Sequence, residues 1–394
     1  MSITSFDDRP GRGGFLTFNS GLPRIYLSCA LPAPEKALLA WREEGYDTRF
    51  LPYEPGTQSQ AEYIASLKTL SSSLSLGEHY ALIAYGDAAS LVLKTAQKPL
   101  AKCCAIIALY PSVLPSPKTL FPNSHQLQVH VAGRQHATTA IPRPDMCAWK
   151  LYVYENCTTG FADPSSPHHE AIESNLAWTR TLSCIRRGFG KNLDLEPLAQ
   201  AHWAAKYDDT SDPDRASMAV VKNMSQDAPH VTFLPTCQGG VGRRQLASFY
   251  ADFFVPSLVE DFRMRLVSRT MGVNRVVDEV VVTFTHSDEV DWMLPGVKPT
   301  GKKVEVAMVS VVAVRGEKLV SEHVYWDQAS VLVQVGLLDP KTVPQMKTKK
   351  MRGAVEDLEQ LPVVGGEAAR LLVEPREEGY NGLLEVNGLM RRVG

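Results

Sequence analysis

An excess of either charge is missing from this chain. Among 394 residues, 41 Lys and Arg meet 43 Asp and Glu, a net charge of −2. That balance offers no electrostatic basis for binding nucleic acid or an anionic membrane surface. No apolar run reaches the ~18 residues needed to span a bilayer. The opening MSITSFDDRPGRGG lacks the apolar stretch of a secretory signal. Cytoplasmic residence is therefore the expectation. The seven cysteines are scattered, and no CxxC pair occurs. Neither a disulfide framework nor a zinc knuckle is expected, and the cysteines read as small buried hydrophobes. No metal and no cofactor are expected. The glycine-rich Gly11–Gly14 follows no strand and precedes no Lys-Ser or Lys-Thr, so it is not a phosphate loop. The basic run Lys347–Arg352 reads as a solvated tail.

What is present is ordinary globular material: 44% hydrophobic and 21% charged residues. The length suits two or three domains at ~150 residues each. In the first half, residues 24–31, 80–85, 104–109 and 127–132 are short apolar runs rich in strand formers. Helix-like stretches lie around 35–45 and 59–74. Buried strands alternating with helices predict a parallel sheet covered on both faces. Residues 166–189 are amphipathic and end in Arg186-Arg187-Gly188, a helix stop signal. The first domain thus spans 1–188.

The second half changes character. Residues 194–225 read as helix, with Leu195, Leu198, Ala199, His202, Trp203 and Tyr207 near helical spacing. Residues 243–256 read as a second helix. Long β-rich runs follow at 262–270, 275–286, 303–315 and 318–327. Helices followed by an antiparallel meander predict an α+β domain over 192–340, its curved sheet wrapped around a helix. Residues 341–394 form a C-terminal extension, with a short helix expected at 366–373.

Two resemblances attach to these halves. Tyr85-Gly86-Asp87-Ala88-Ala89-Ser90 follows a buried strand and precedes a helix, as the nucleophile elbow of an α/β-hydrolase does. With Ala105–Ser112, Val129–Gly133, Tyr154–Asp163 and Ala177–Leu182, it resembles the dienelactone hydrolase family. The resemblance puts the nucleophile position at Ala88, the acid near Arg134–His136 and the base at Thr159. None of the three positions carries the required group, which implies a catalytically inactive scaffold. Asp87 or Ser90 as nucleophile is the minor alternative.

In the second half, the segments Phe233–Thr236, Gly239–Gly242, Phe284–His286, Asp291–Lys302 and Glu322–Ala329 and the string Leu332-x-Gln334-x-Gly336 look like the SnoaL-like polyketide cyclases of the nuclear-transport-factor-like cone fold. The resemblance implies one deep apolar pocket and a hydrophobic carbonyl compound as small-molecule partner. It also leaves open a homodimer paired through the sheets. Registered on that string, the family's acid–base pair falls at Ser310 and Val324, neither able to titrate usefully. The expected catalytic set is therefore His286, Asp327 and His323. His230, Glu322, Tyr325, Trp292 and Trp326 are the expected substrate contacts.

Strand alternation puts His323, Tyr325 and Asp327 on one face and Glu322, Val324 and Trp326 on the other. His323 and Asp327 lie ~13 Å apart along a strand, at ~3.3 Å per residue, and cannot bond directly unless the strand ends or bulges. Each candidate also has a structural alternative. Asp327 could cap the next helix, His323 could face solvent, and His286 could stabilise a turn. The function expected is a cofactor-independent cyclase or isomerase acting on a polyketide- or terpenoid-like carbonyl intermediate. The alternatives are a non-catalytic ligand-binding or assembly protein, and an ester or lactone hydrolase.

Overall fold

A computed structural model describes residues 21–135, 140–208, 210–342, 360–374 and 380–386. The chain divides into two compact units, Met1–Asn192 and Leu193–Gly394.

The first unit is built on six strands: β1 (Arg24–Cys29), β2 (Asp47–Pro52), β3 (Tyr80–Tyr85), β4 (Cys103–Leu109), β5 (Gln126–Ala132) and β6 (Lys150–Tyr154). They lie side by side as β2-β1-β3-β4-β5-β6, all parallel. The central strands are buried on both faces, so YALIA and CCAIIAL show no alternation. Helices α1 (Glu35–Glu43), α2 (Gln60–Thr69), α3 (Gly86–Thr95) and α4 (Ala171–Gly188) accompany them. A reciprocal Ser59–Glu62 capping box starts α2. The stop signal read at Gly188 has a packing reason as well. A Cβ there would stand 2.7 Å from the Cys104 carbonyl oxygen, so only glycine lets α4 approach β4 so closely. Sequence reading missed β2 and β6. Both carry charged residues and lie at the sheet's edges, where pairing with one neighbour defines them.

In the second unit come α5 (Glu196–Tyr207), α6 (Pro213–Lys222), a hairpin of β7 (His230–Phe233) and β8 (Gln238–Val241), and α7 (Arg243–Phe249). A π-helical turn, Tyr250–Phe254, continues α7. The strands β9 (Arg263–Met271), β10 (Arg275–Thr285), β11 (Lys303–Arg315) and β12 (Lys318–Trp326) follow, then α8 (Gln328–Val335) and α9 (Glu367–Val373). The sheet order is β8-β7-β12-β11-β10-β9, antiparallel except where β7 meets β12. The helix expected over 194–225 is two helices. Asp212 caps α6 through the Arg215 N–H, and Pro213 in its first turn can start a helix but not continue one.

Alternation is clean on β11, where Val304, Val306, Met308, Ser310 and Val312 face the core. The string Leu332-x-Gln334-x-Gly336 gains a physical meaning here. The pairing of β11 with β12 stops at Met308, leaving Glu305 without a strand partner on that side. The Gln334 amide fills in, accepting from Glu305 N at 2.8 Å and donating to Glu305 O at 3.0 Å. Gly336, at φ 81°, ends α8 in the left-handed conformation that glycine adopts without strain.

Candidate functional site

The inner face of the second sheet is apolar except for a band of polar side chains under α5. Glu322 points inward from β12 and is 2% exposed. On α5, His202 and Lys206 are four residues apart and therefore share a face. His202 Nε2 lies 3.0 Å from Glu322 Oε2. Lys206 Nζ donates to both Glu322 oxygens, at 2.9 and 3.1 Å. Ser310 Oγ, from β11, donates to Glu322 Oε1 at 3.0 Å. His202 and Lys206 are 1% and 2% exposed. Aromatic rings cage the ammonium, with Tyr207, Phe233, Tyr250 and Phe254 centred 5.4–5.9 Å from it.

Burial pushes the Glu322 carboxyl upward, but Lys206 first and His202 second outweigh it and hold the group far below the usual carboxylate range. Burial likewise pulls Lys206 down, and the Glu322 charge more than reverses it. The pair is thus locked as a carboxylate and an ammonium. Burial raises the Tyr250 phenol well above its ordinary value, the nearby Lys206 charge only partly opposing this.

Three polar atoms beside this network or its aromatic wall have no hydrogen-bond partner: His202 Nδ1, the Tyr250 hydroxyl and Trp292 Nε1. Buried polar groups are almost always bonded, so such atoms call for an explanation. Phe233 and Phe254 connect Trp292 and Tyr250 into one wall. Trp292 lies 5.6 Å from Phe233 and 5.5 Å from Phe254, and Tyr250 lies 5.4 Å from Phe254.

The band continues across the sheet. Asp278 on β10 stands in register with Ser310. Arg269 clamps it through two bonds of 2.6 and 2.9 Å and reaches Glu196 at 2.7 Å, with the Trp203 ring 5.4 Å away. Both ion clusters therefore tie α5 to the strands beneath it.

Of the residues expected from sequence, Glu322 is in this network, and Trp292 and Trp326 line it, 5.6 Å apart. His286, Asp327 and His323 are not brought together. Asp327 accepts from Ala329 N at 3.0 Å and caps α8. The His286 ring is buried, and its Nδ1 accepts from Thr300 N at 3.3 Å while lying 3.1 Å from Thr300 Oγ1. Its backbone oxygen accepts from Thr300 N and Gly301 N, so His286 fastens the turn leading into β11. His323 and Tyr325 alternate with the core-facing residues of β12, and His323 meets His230 at 5.5 Å between rings. Burial and the neighbouring His323 pull His230 down. Sequence reading missed His202, Lys206, Ser310, Asp278 and Arg269 as a set. A usable signal existed: His202 and Lys206 fall on the same stripe as Leu195 and Ala199.

In the first unit the strand–helix turn after β3 has its apex at Gly86, with φ 58°. Ala88, the position assigned from sequence, is 1% exposed inside α3. The left-handed backbone marks Gly86 as the turn residue, and a Cβ there would meet nothing within 4 Å. Arg134 and Thr159 are exposed, and His136 lies outside the described residues. Beside the turn, Ser112 donates to Asp87, and the Ser90 and Ser112 hydroxyls lie 3.0 Å apart. These residues line a cleft of about 460 Å³. All seven cysteines are free. Among the described residues no group of three or more His, Cys, Asp or Glu is placed to hold a metal ion, and no helix is long and apolar enough to cross a membrane. The run Lys347–Arg352 lies outside the described residues.

No family model and no curated protein matches this chain. Solved structures do. One is a protein of ketosteroid isomerase-like fold from Catenulispora acidiphila, solved with trimethylamine, at 20% identity over 35% of this chain and 92% of that one, TM-score 0.28. Another is a protein described as SnoaL-like from Jannaschia sp. CCS1, at 16% identity over 38% and 99%, TM-score 0.31. A third is IdmH from Streptomyces antibioticus, a polyketide cyclase candidate, at 18% identity over 36% and 99%, TM-score 0.29.

Proposed function

We propose that the second unit carries out acid–base chemistry next to a carbonyl, isomerising or cyclising a small apolar compound without a cofactor. The observation that carries this reading is His202: Nε2 is held by an ionised carboxylate while Nδ1 is left without a partner. A carboxylate locked by Lys206 has no hydrogen to give, so the hydrogen between them belongs to Nε2. In the neutral imidazole the lone pair then sits on Nδ1. This is the arrangement of a base oriented by a third group. Nδ1 would take a proton from the carbon beside the carbonyl, and the C–H electron pair would pass to the carbonyl oxygen as an enolate. The Tyr250 hydroxyl would hydrogen-bond that oxygen. The imidazolium would return the proton to another carbon, or the enolate carbon would attack a second carbonyl of the same molecule and the new alkoxide would take the proton. Glu322 and Lys206 keep their charges throughout and act as positioning residues.

These atoms are enclosed, so entry requires a wall to move. The π-helical turn Tyr250–Phe254 is the segment suited to it. It carries two of the rings and leaves Phe253 52% exposed, and π turns inside helices are frequent at functional sites. In the first unit, a hydrolase-like scaffold with Gly86 at its elbow has no nucleophile there.

The test is deuterium wash-in at the α-carbons of 2-tetralone, followed by NMR in D₂O. The protein is expected to accelerate exchange, and His202→Gln to abolish it with folding intact. No exchange above solvent, or exchange kept by His202→Gln, overturns the reading. A second reading, a non-catalytic binding or assembly module, is favoured by one observation: every charge in the band is already matched and the rings around it are packed.

A further inference from the structure

The geometry points to a binding site in the first unit for a short zwitterion, a molecule whose ammonium and carboxylate are set apart by an apolar body. The site is the cleft along α3, and it does not depend on the chemistry proposed for His202. The cleft holds about 460 Å³, within the range of small-molecule sites. One stripe of α3 lines it: Asp87, Ser90, Leu91 and Lys94 recur at helical spacing. Tyr53, from the segment after β2, and Leu114, from the segment after β4, add apolar lining. Along the stripe the cleft is thus acidic at one end, apolar at Leu91 and basic at the other end.

The acidic end is held in place by a chain of hydroxyls. Ser112 donates to Asp87 Oδ1, and the Ser90 hydroxyl lies 3.0 Å from Ser112 Oγ while accepting from Val113 N at 2.9 Å. The carboxylate is thereby fixed through one oxygen. Its second oxygen has no hydrogen-bond partner among the described residues. At the basic end, Lys94 makes neither an ion pair nor a hydrogen bond among the described residues. The two charges do not meet each other either. Seven residues at ~1.5 Å each put their Cα atoms ~10.5 Å apart along the helix axis. Long helical side chains lean back toward the N-terminus, so the gap left between the charged groups is ~7 Å.

Charge then selects the ligand. A simple cation satisfies Asp87 but approaches Lys94, a simple anion does the reverse, and a neutral molecule answers neither charge. A zwitterion of matching span answers both. A free α-amino acid carries its two charges too close together to bridge the gap. The apolar middle of the stripe asks for methylenes or an apolar side chain between the charges. An ω-amino acid and a dipeptide share this chemistry.

The experiment titrates the full chain with 6-aminohexanoate by calorimetry at pH 7, beside hexylamine and hexanoate, which each keep one of its charges. The zwitterion is expected to bind at least tenfold tighter than either. Asp87→Asn should bring it down to the level of hexanoate, and Lys94→Gln to the level of hexylamine, with urea unfolding unchanged. If Asp87→Asn fails to fold, Lys94→Gln, at an exposed position, decides alone. The dipeptide Leu-Gly separates the two sources: tighter binding than 6-aminohexanoate makes this a peptide site, weaker binding an ω-amino acid site, and either supports the proposal. Neither zwitterion binding, a single-charge analogue binding as tightly as 6-aminohexanoate, or Lys94→Gln binding 6-aminohexanoate unchanged overturns it.

Discussion

His130 and His202 are equally hidden, one in each unit, at 0% and 1% exposure, yet they answer to different partners. His130 Nδ1 lies 2.9 Å from the Tyr154 hydroxyl, and the Tyr154 ring stacks with it at 5.9 Å. The charge near it is Arg180, which sits 4.2 Å over Tyr152. Burial first, and Arg180 second, push His130 down to about 3. It is a neutral core histidine. His202 instead faces a carboxylate that an adjacent ammonium holds ionised. The lesson is that burial alone assigns no role to a histidine; the neighbour's charge does, and that neighbour is remote in sequence.

The largest expected effect comes from removing that neighbour. Glu322→Leu strands the Lys206 charge inside the aromatic cage and should cost about 3–5 kcal/mol, read as a shift in the urea unfolding of the second unit. Adding Lys206→Met should recover most of the loss, because a matched apolar pair replaces a matched ionic one. If the single variant costs under about 1 kcal/mol, the network is not the fastening it looks to be.

Mild acid should separate the units more gently. Because His130 is depressed in the fold, the unfolded chain binds its proton first as pH falls below about 6.5. Stability of the first unit is whole above that pH, and declines until about pH 3. Between pH 6.5 and 5 the loss should be about 2 kcal/mol. Glu322 is depressed as a carboxylate, so its contribution is present above its ordinary value of 4.5 and is lost only as pH falls through the lower folded value. It stays constant over the same window. Hydrogen exchange of peptides from β5 and from β12 at both pH values reads the difference, and His130→Gln should flatten the first response.

The smallest effect sharpens the assignment. Asp327→Ala should cost about 1 kcal/mol through the lost α8 cap and leave the α-proton exchange rate unchanged. A large fall in exchange with unchanged stability would return Asp327 to the reacting centre.

Much of the architecture was legible in the chain. The expected runs 275–286, 303–315 and 318–327 meet β10, β11 and β12 within a residue at each end, because period-two burial is written directly into Val-x-Val sequences. The edge strands were not legible, since a run such as DTRFLP becomes a strand only when β1 pairs with it. The turn after β3 was legible only in part for a related reason: the motif shows that a turn exists, but only backbone geometry shows that Gly86 takes the positive φ.

The candidate site divides the same way. Alternation put Glu322, Val324 and Trp326 on one face of β12, and that much is local. Which face is the interior, and what waits there, is not. His202 and Lys206 lie 120 and 116 positions from Glu322. Local periodicity determined the elements and their faces, because it acts over a few residues. Only the tertiary structure decided that a histidine on α5 would meet a carboxylate on β12, because that meeting is made by packing two distant faces against each other.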